Sequence, residues 1–201
     1  MLRVALTGGL ASGKSFVGRT LEHLGCFLIQ ADLLGHQVLE PDGEAYPAVV
    51  REFGPAILDN EGRIDRRALA KLVFTNPERL AVLNSLVHPP VRARTERLIE
   101  EFAAREPHGI AVVEAAIHVE TGGYRNFDRL ILAYCSREQQ VQRAMHRDHA
   151  TREEVEARLS RQMSLEEKRK HAHYVIDTSG NKEDTVRQTE EVYRELRSIA
   201  Q

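Results

Sequence analysis

The sequence predicts an α/β fold, a parallel sheet flanked by helices, with two helical excursions from it. Three observations carry this expectation. An apolar run at 2–7, a glycine-rich loop at 8–13, a helical pattern from 14 and a second apolar run at 26–29 make a βαβ unit in about thirty residues. Short apolar runs return at 110–113, 130–134 and 174–176, separated by helical patterns. Between them lies a helix-rich stretch, roughly 35 to 90, without a strand signal.

Taken in order, the first strand is short and partly β-branched. The first helix places Phe16, Val17, Thr20, Leu21 and Leu24 at helical spacing, and Gly25 follows as its C-terminal stop. Asp32 lies just past the second strand. Helices are expected at 33–39, broken by Pro41, Asp42 and Gly43, and at 45–53, ended near Gly54-Pro55. Asn60-Glu61-Gly62 predicts a turn, and Asp65 a cap for a helix over 66–73. Another helix starts after Asn76-Pro77. It is expected to stop at His88-Pro89-Pro90, because a residue before proline is pushed out of the helical region. A separate amphipathic helix follows at 91–104. After the third and fourth strands come charged helices at 137–147 and 152–162, the latter capped by Thr151. Ser164 with Glu167 predicts a capping box for 165–171, and a closing helix spans 182–199.

A chain of 201 residues has room for one sizeable core and a small inserted subdomain. Apolar residues make up 42% and charged residues 29%, an ordinary soluble balance. Lys and Arg total 28 against 30 Asp and Glu, so the net charge is −2 and no excess of positive charge points to nucleic acid. No apolar run reaches the length of a membrane span. The glycine-rich segment begins within eight residues of the N-terminus, which leaves no room for a signal peptide. Cys26 and Cys135 do not make a disulfide framework, so a cytoplasmic setting is expected.

The chemistry concentrates at Gly8-Gly9-Leu10-Ala11-Ser12-Gly13-Lys14-Ser15, which matches the phosphate-loop pattern GxxxxGK[ST] between a predicted strand and a predicted helix. Glycines let backbone N–H groups converge on phosphate oxygens, and the following helix presents its N-terminal dipole. Lys14 reaches the β- and γ-phosphates and Ser15 offers a hydroxyl to Mg²⁺. The sequence therefore predicts the P-loop NTPase fold and a nucleoside triphosphate site, without fixing the reaction.

Four further candidates carry a second explanation each. Asp32 would emerge at the same sheet edge as the loop, either as a base on an acceptor hydroxyl or a holder of metal-bound water, or as a helix cap. Glu114 ends an Ile-Ala-Val-Val run, either as the second metal-associated acid or as a solvated strand end. Arg143 and Arg147 are four apart and share a helix face, either closing over a triphosphate as part of a lid or lacing a solvated surface. His88 either contacts an anionic substrate or caps a helix. The remaining histidines lack metal-ligand spacing.

The ordered combination of segments resembles bacterial-type dephospho-CoA kinase over nearly the whole chain. The matching segments are Leu6-Thr7 with the phosphate loop, Ala31-Asp32, Leu86-Val87-His88-Pro89 with Arg92, Glu120-Thr121-Gly122, Gln140, Gln142-Arg143, Arg147-Asp148, Ala172, and Val175-Ile176-Asp177 before Gly180. The resemblance implies ATP-dependent phosphorylation of the ribose 3'-hydroxyl of dephospho-CoA, the last step of coenzyme A synthesis. It implies a nucleotide-binding core at 1–33, 96–137 and 166–201, an acceptor-binding insertion at 34–95 and a lid at 138–165. Asp32 matches the family's proposed base, and Arg143 or Arg147, with Arg143 favoured, the lid arginines. Thr7, the loop residues through Ser15 with Phe16, and Thr178 near the adenine match the ATP site. Asp32, His88 and Arg92 match the acceptor side, and Ser15 and Glu114 the Mg²⁺ side. The expected partner is the small-molecule substrate alone, with the chain a monomer or weak homo-oligomer.

Three departures from the family pattern occur: Gln30 stands where an acid is common, Ala116-Ile117-His118 where Pro-Leu-Leu is common, and, late in the chain, His173 and Thr178 where an acid and an Asn are common. Two rivals share the phosphate loop: another small-molecule kinase acting on a nucleoside or nucleotide, and a nucleotide-dependent switch without an acceptor.

Overall fold

A computed structural model of the protein describes residues 1–74 and 76–200. The chain divides into two compact units, Met1–Gln30 with Ile99–Gln201, and Ala31–Leu98.

The first unit is built on five parallel strands: β1 (Leu2–Thr7), β2 (Phe27–Gln30), β3 (Ile110–Glu114), β4 (Arg129–Tyr134) and β5 (Tyr174–Asp177), in the order β2-β3-β1-β4-β5. The chain leaves β3 on one side of β1 and places β4 on the other. The order of the sheet thus reverses beside β1, and a crevice for ligand opens at the carboxyl ends of the strands. All five residues of β3 are buried, as a parallel strand covered on both faces requires.

Alternation along β1 sorts its side chains. Leu2, Val4 and Leu6 join Val17 and Leu21 of α1 (Lys14–His23) and Val192, Leu196 and Ala200 of the closing helix (Lys182–Ala200) in the main core. Ala5 points the other way, into a smaller cluster with Val119 and Leu130. Two helices, Arg137–Asp148 and Arg152–Leu159, share a cluster of Val141, Ala144, Val155 and Leu159 that also packs Leu10 and Ala11 of the phosphate loop. Thr151 caps the second of these with a full capping box through Glu154. A capping box at Ser136 with Gln139, not anticipated from sequence, starts the first.

The short helix Leu165–Arg169 keeps only half of its expected capping box. Ser164 Oγ accepts from the Glu167 amide at 3.2 Å, while the Glu167 carboxylate takes Lys170 Nζ at 2.6 Å. Turning to that exposed ammonium satisfies the carboxylate without the Ser164 amide.

The second unit contains Ala31–Gln37, Tyr46–Phe53, Arg66–Phe74 and the larger part of Pro77–Arg105. Its core joins Val38, Val49, Phe53, Ile57, Leu69 and Val73. Asp65 caps the third of these helices, accepting from the amides of Arg67 at 2.8 Å and Ala68 at 3.2 Å. The turn before Ile64 forms on Asp59, whose Oδ1 accepts from Glu61 and Arg63 amides at 2.9 Å.

The predicted break at His88-Pro89-Pro90 is a correction. Pro77–Arg105 is one helix of 29 residues with both prolines inside it, and His88 is not at a boundary. Packing explains the override. Val82, Leu83, Leu86 and Val87 before the prolines and Val91 after them all lie against the same core, so one straight-through face buries more than two separate helices would.

Prolines retained inside a helix are a standing cost, because each lacks an N–H for the carbonyl four residues back. Replacing both (P89A with P90A) is expected to raise the unfolding free energy by about 2–4 kcal/mol. Urea unfolding checks this, and a loss of stability would show that the prolines shape the helix for another purpose.

Candidate active site

The phosphate loop follows β1 at the centre of the sheet edge. Gly13 adopts the left-handed region at φ 84 and Ala11 does so at φ 55, the latter uncommon for a residue with a Cβ. Gly8 and Gly9 answer to close approach. A Cβ on Gly8 would lie 2.3 Å from Ser12 Oγ, and one on Gly9 2.4 Å from Gln140 Nε2. Inside the loop, Ser12 Oγ accepts from the Gly9 amide at 3.1 Å. The carbonyl of Gly13 accepts from Phe16 and Val17 amides at 3.0 and 3.2 Å, which starts α1 directly at Lys14. The helix N-terminus thus faces the loop's concave side, the arrangement that attracts a phosphate.

Strand register assembles the charged group. Glu114 pairs with Leu6 on one side and Gln30 on the other. Its Oε1 accepts from Lys14 Nζ and from Ser15 Oγ, both at 2.6 Å, and its Oε2 accepts from Gln30 Nε2 at 3.2 Å. Glu114 is 3% exposed, which removes the solvated strand end as an explanation for it. Burial pushes its carboxyl up, but the Lys14 charge and the bonds from Lys14, Ser15 and Gln30 outweigh this and hold it below the ordinary value. Gln30, a departure from the family's acid, is neutral where a second carboxylate would have repelled Glu114.

The other expected residues separate into groups. Thr7 is buried and its hydroxyl donates to the Ala116 carbonyl at 3.3 Å. Thr178, also buried, donates through Oγ1 to the Ser12 carbonyl at 2.7 Å, so its hydroxyl is committed to the phosphate loop. Arg143 lies on the same residue, with Nη2 donating to the Thr178 carbonyl at 2.6 Å and Nη1 to its hydroxyl at 3.3 Å. Arg147 is turned away to Asp148, at 2.7 Å, and is 57% exposed. Asp148 also takes Arg158 at 2.6 Å, and these two guanidinium groups hold its carboxyl down at about 2. Phe16 carries Lys182 over its ring at 6.0 Å.

In the second unit, Asp32 is exposed in the first turn of its opening helix. His88 and Arg92 stand one turn apart on Pro77–Arg105, and burial together with the Arg92 charge lowers the His88 pKa. Arg92 supplies the positive charge of the pair.

Several residues of the site were not anticipated. Gln140 Nε2 donates to the Leu10 carbonyl at 2.8 Å, and Gln162 Oε1 accepts from the Leu10 amide at 2.9 Å. Lys168 is fully buried and donates to the Gly8 carbonyl at 2.9 Å, the Ala116 carbonyl at 2.6 Å and Glu120 Oε1 at 2.8 Å. Its sequence signal is spacing: it falls three residues after Leu165, on the helix face that carries that apolar side chain inward. Among the described residues no cluster of three or more His, Cys, Asp or Glu could hold a metal. None of the described helices is long and apolar enough to cross a membrane.

The family model described as dephospho-CoA kinase matches residues 2–184. The dephospho-CoA kinase of Aquifex aeolicus is 38% identical over 196 residues, covering 98% of each chain. That of Geobacter sulfurreducens is 39% identical over 190 residues, covering 94% of this chain and 96% of its own. Among solved structures, a Thermus thermophilus protein superposes with TM-score 0.81 at 36% identity, covering 96% of this chain and 97% of that one. Dephospho-CoA kinase from Campylobacter jejuni superposes with TM-score 0.65 at 27% identity, covering 96% of both chains. A shikimate kinase from Acinetobacter baumannii, at 19% identity and TM-score 0.51, shares the fold.

The Lys14–Glu114 pair predicts a pH dependence. The folded carboxyl titrates below its unfolded value near 4.5, so the pair stabilises fully above that value and loses its effect as pH falls through the folded pKa. Glu114→Gln is expected to cost about 2–4 kcal/mol at neutral pH, since it leaves a buried ammonium without its counter-charge. Urea unfolding of both proteins from about pH 7 to about pH 3 should show the difference shrinking on the acid side. A constant difference would show that Glu114 is not the ionised partner.

Proposed function

Because the chain belongs to the dephospho-CoA kinase family, we propose that its phosphate loop, Asp32 and lid arginine divide that family's reaction among them. The enzyme transfers the γ-phosphoryl group of ATP to the ribose 3'-hydroxyl of dephospho-CoA, giving coenzyme A and ADP, the final step of coenzyme A synthesis. The observation that carries the assignment of roles is the group at the sheet edge, where Lys14 and Ser15 meet one oxygen of Glu114 at 2.6 Å beside the loop amides.

Asp32 accepts the proton of the 3'-hydroxyl as that oxygen attacks the γ-phosphorus, and the β–γ bridging oxygen leaves with ADP. Support for Asp32 is its place two residues past Gln30, the strand residue in register with Glu114. Lys14 exchanges Glu114 for phosphate oxygens and follows the charge to the leaving group. Arg143 is the lid arginine that meets the phosphates, a reading supported by its bonds to Thr178 and by the engagement of Arg147 with Asp148. The lid at 138–165 closes over the donor and excludes water as a competing acceptor. The insertion at 34–95 takes the acceptor, with Arg92 for its anionic groups and His88 as a hydrogen-bonding partner.

Ser15 and Glu114 present hard oxygen donors side by side, a set that fits Mg²⁺ shared with phosphates. When bound there, the ion neutralises charge on the β- and γ-phosphates. We place the reaction in the cytoplasm, where the buried thiols Cys26 and Cys135 stay reduced, in a monomer or weak homo-oligomer acting without nucleic acid or membrane.

An ADP-release assay with dephospho-CoA against a panel of nucleosides, with the product phosphate mapped to the 3' position, tests the reaction. Acceptor-independent ADP release alone would overturn it. Asp32→Asn is expected to lower kcat by about 10²- to 10⁴-fold, the usual worth of a positioned base, with ATP affinity largely spared. Unchanged turnover would move the proton to another group. Lys14→Ala is expected to lower kcat by about 10²- to 10³-fold and to weaken nucleotide binding as well. Near-normal activity would remove it from the site.

A further inference from the structure

Lys168 is a buried cation outside the phosphate-loop motif, carried on Leu165–Arg169. We propose that it is a positioning residue for that loop, pinning the first glycine to the end of β3 and so fixing the loop amides against the Lys14–Ser15–Glu114 group. The proposal rests on the reading above that this loop holds ATP.

The hydrogen bonds make the case. An ammonium has three donors, and here each finds one acceptor: Gly8 O at 2.9 Å, Ala116 O at 2.6 Å and Glu120 Oε1 at 2.8 Å. Gly8 begins the phosphate loop, and Ala116 follows the strand that ends in Glu114. The lysine therefore ties together the two backbone segments whose spacing sets the anion site. Glycine leaves Gly8 without a side chain to hold it, so its carbonyl must be held from outside.

Glu120 extends the tie. Its Oε1 also accepts from the Met163 amide at 3.1 Å, and the adjacent Gln162 accepts from the Leu10 amide at 2.9 Å. The segment leaving the lid is thus anchored to the same buried charge pair and to the loop. Burial lowers the Lys168 pKa, Glu120 opposes this and Lys14 adds to it, so the two lysine charges feel each other across the site. A second cation this close also favours the anion that the loop receives.

The test uses the full chain with ATP as the probe. Calorimetric ATP binding needs no acceptor, so it reads the loop whether or not dephospho-CoA is the substrate; turnover of dephospho-CoA by the wild type reads that assignment separately. Lys168→Met keeps the stem and removes the donors. It is expected to weaken ATP binding and lower kcat by about 10- to 100-fold, the worth of charge-assisted hydrogen bonds, while the KM for dephospho-CoA moves by less than about threefold. This variant also strands Glu120, so K168M is paired with E120L, which removes both charges and restores stability lost to an uncompensated acid. The expected result is a double variant whose Tm recovers while ATP affinity and kcat stay low. Recovery of affinity together with Tm would overturn the proposal, as would wild-type affinity in Lys168→Met alone. If Lys168→Met does not fold, the double variant decides by itself: low ATP affinity in a folded protein supports positioning, and wild-type affinity refutes it.

Discussion

An anion-binding loop made of bare backbone cannot hold its own shape, and the surroundings of residues 8–15 are organised by that constraint. The loop works because its glycines leave the amides uncovered, and for the same reason it has few side chains with which to grip its neighbours. Its carbonyls are gripped instead. Gly8 O is taken by Lys168, Leu10 O by Gln140 and Ser12 O by Thr178. These come from three separate elements, so the loop is fixed only when the helix Arg137–Asp148, the helix before β5 and the segment after β5 are all in place. The shape of the loop and the folding of this unit share one set of contacts.

The electrostatics follow the same economy. Lys14 and Lys168 are both nearly or fully buried, with Glu114 at hydrogen-bond distance from the first and Glu120 from the second. A buried ammonium without a partner would shed its proton or destabilise the fold. Each carboxylate supplies that partner. The net charge of −2 conceals this. The positive charge beside the phosphate loop is local and is balanced by buried acids inside the unit.

Much of this was legible from sequence. The phosphate-loop pattern marked Lys14 and Ser15, and the apolar runs marked all five strands. Thr151 and Asp65 announced helix starts that the structure keeps. Other features were hidden for identifiable reasons. Proline at 89 and 90 is a strong local stop, yet the apolar residues on both sides of it lie on one core and carry the helix through. Gln140, Gln162 and Lys168 look like surface residues in charged helices. What draws them inward is the backbone carbonyl or amide of the loop more than a hundred residues earlier. Periodicity reports which face of a helix is apolar; it is silent on a polar residue whose partner lies across the sheet.

The sequence by itself determined the class of fold and, through the ordered match of its segments, the family. Each of these depends on local chemistry: glycine spacing, a Lys-Ser pair at a helix start, short apolar strands. Only the tertiary structure decided which of two arginines four residues apart lies by the loop. Arg143 is drawn to Thr178 and Arg147 to Asp148. It also decided that Glu114 is the buried partner of Lys14, because that depends on the register of β3 between β1 and β2. Register and long-range pairing are settled by which surfaces bury together, and no window of sequence contains both sides of that choice.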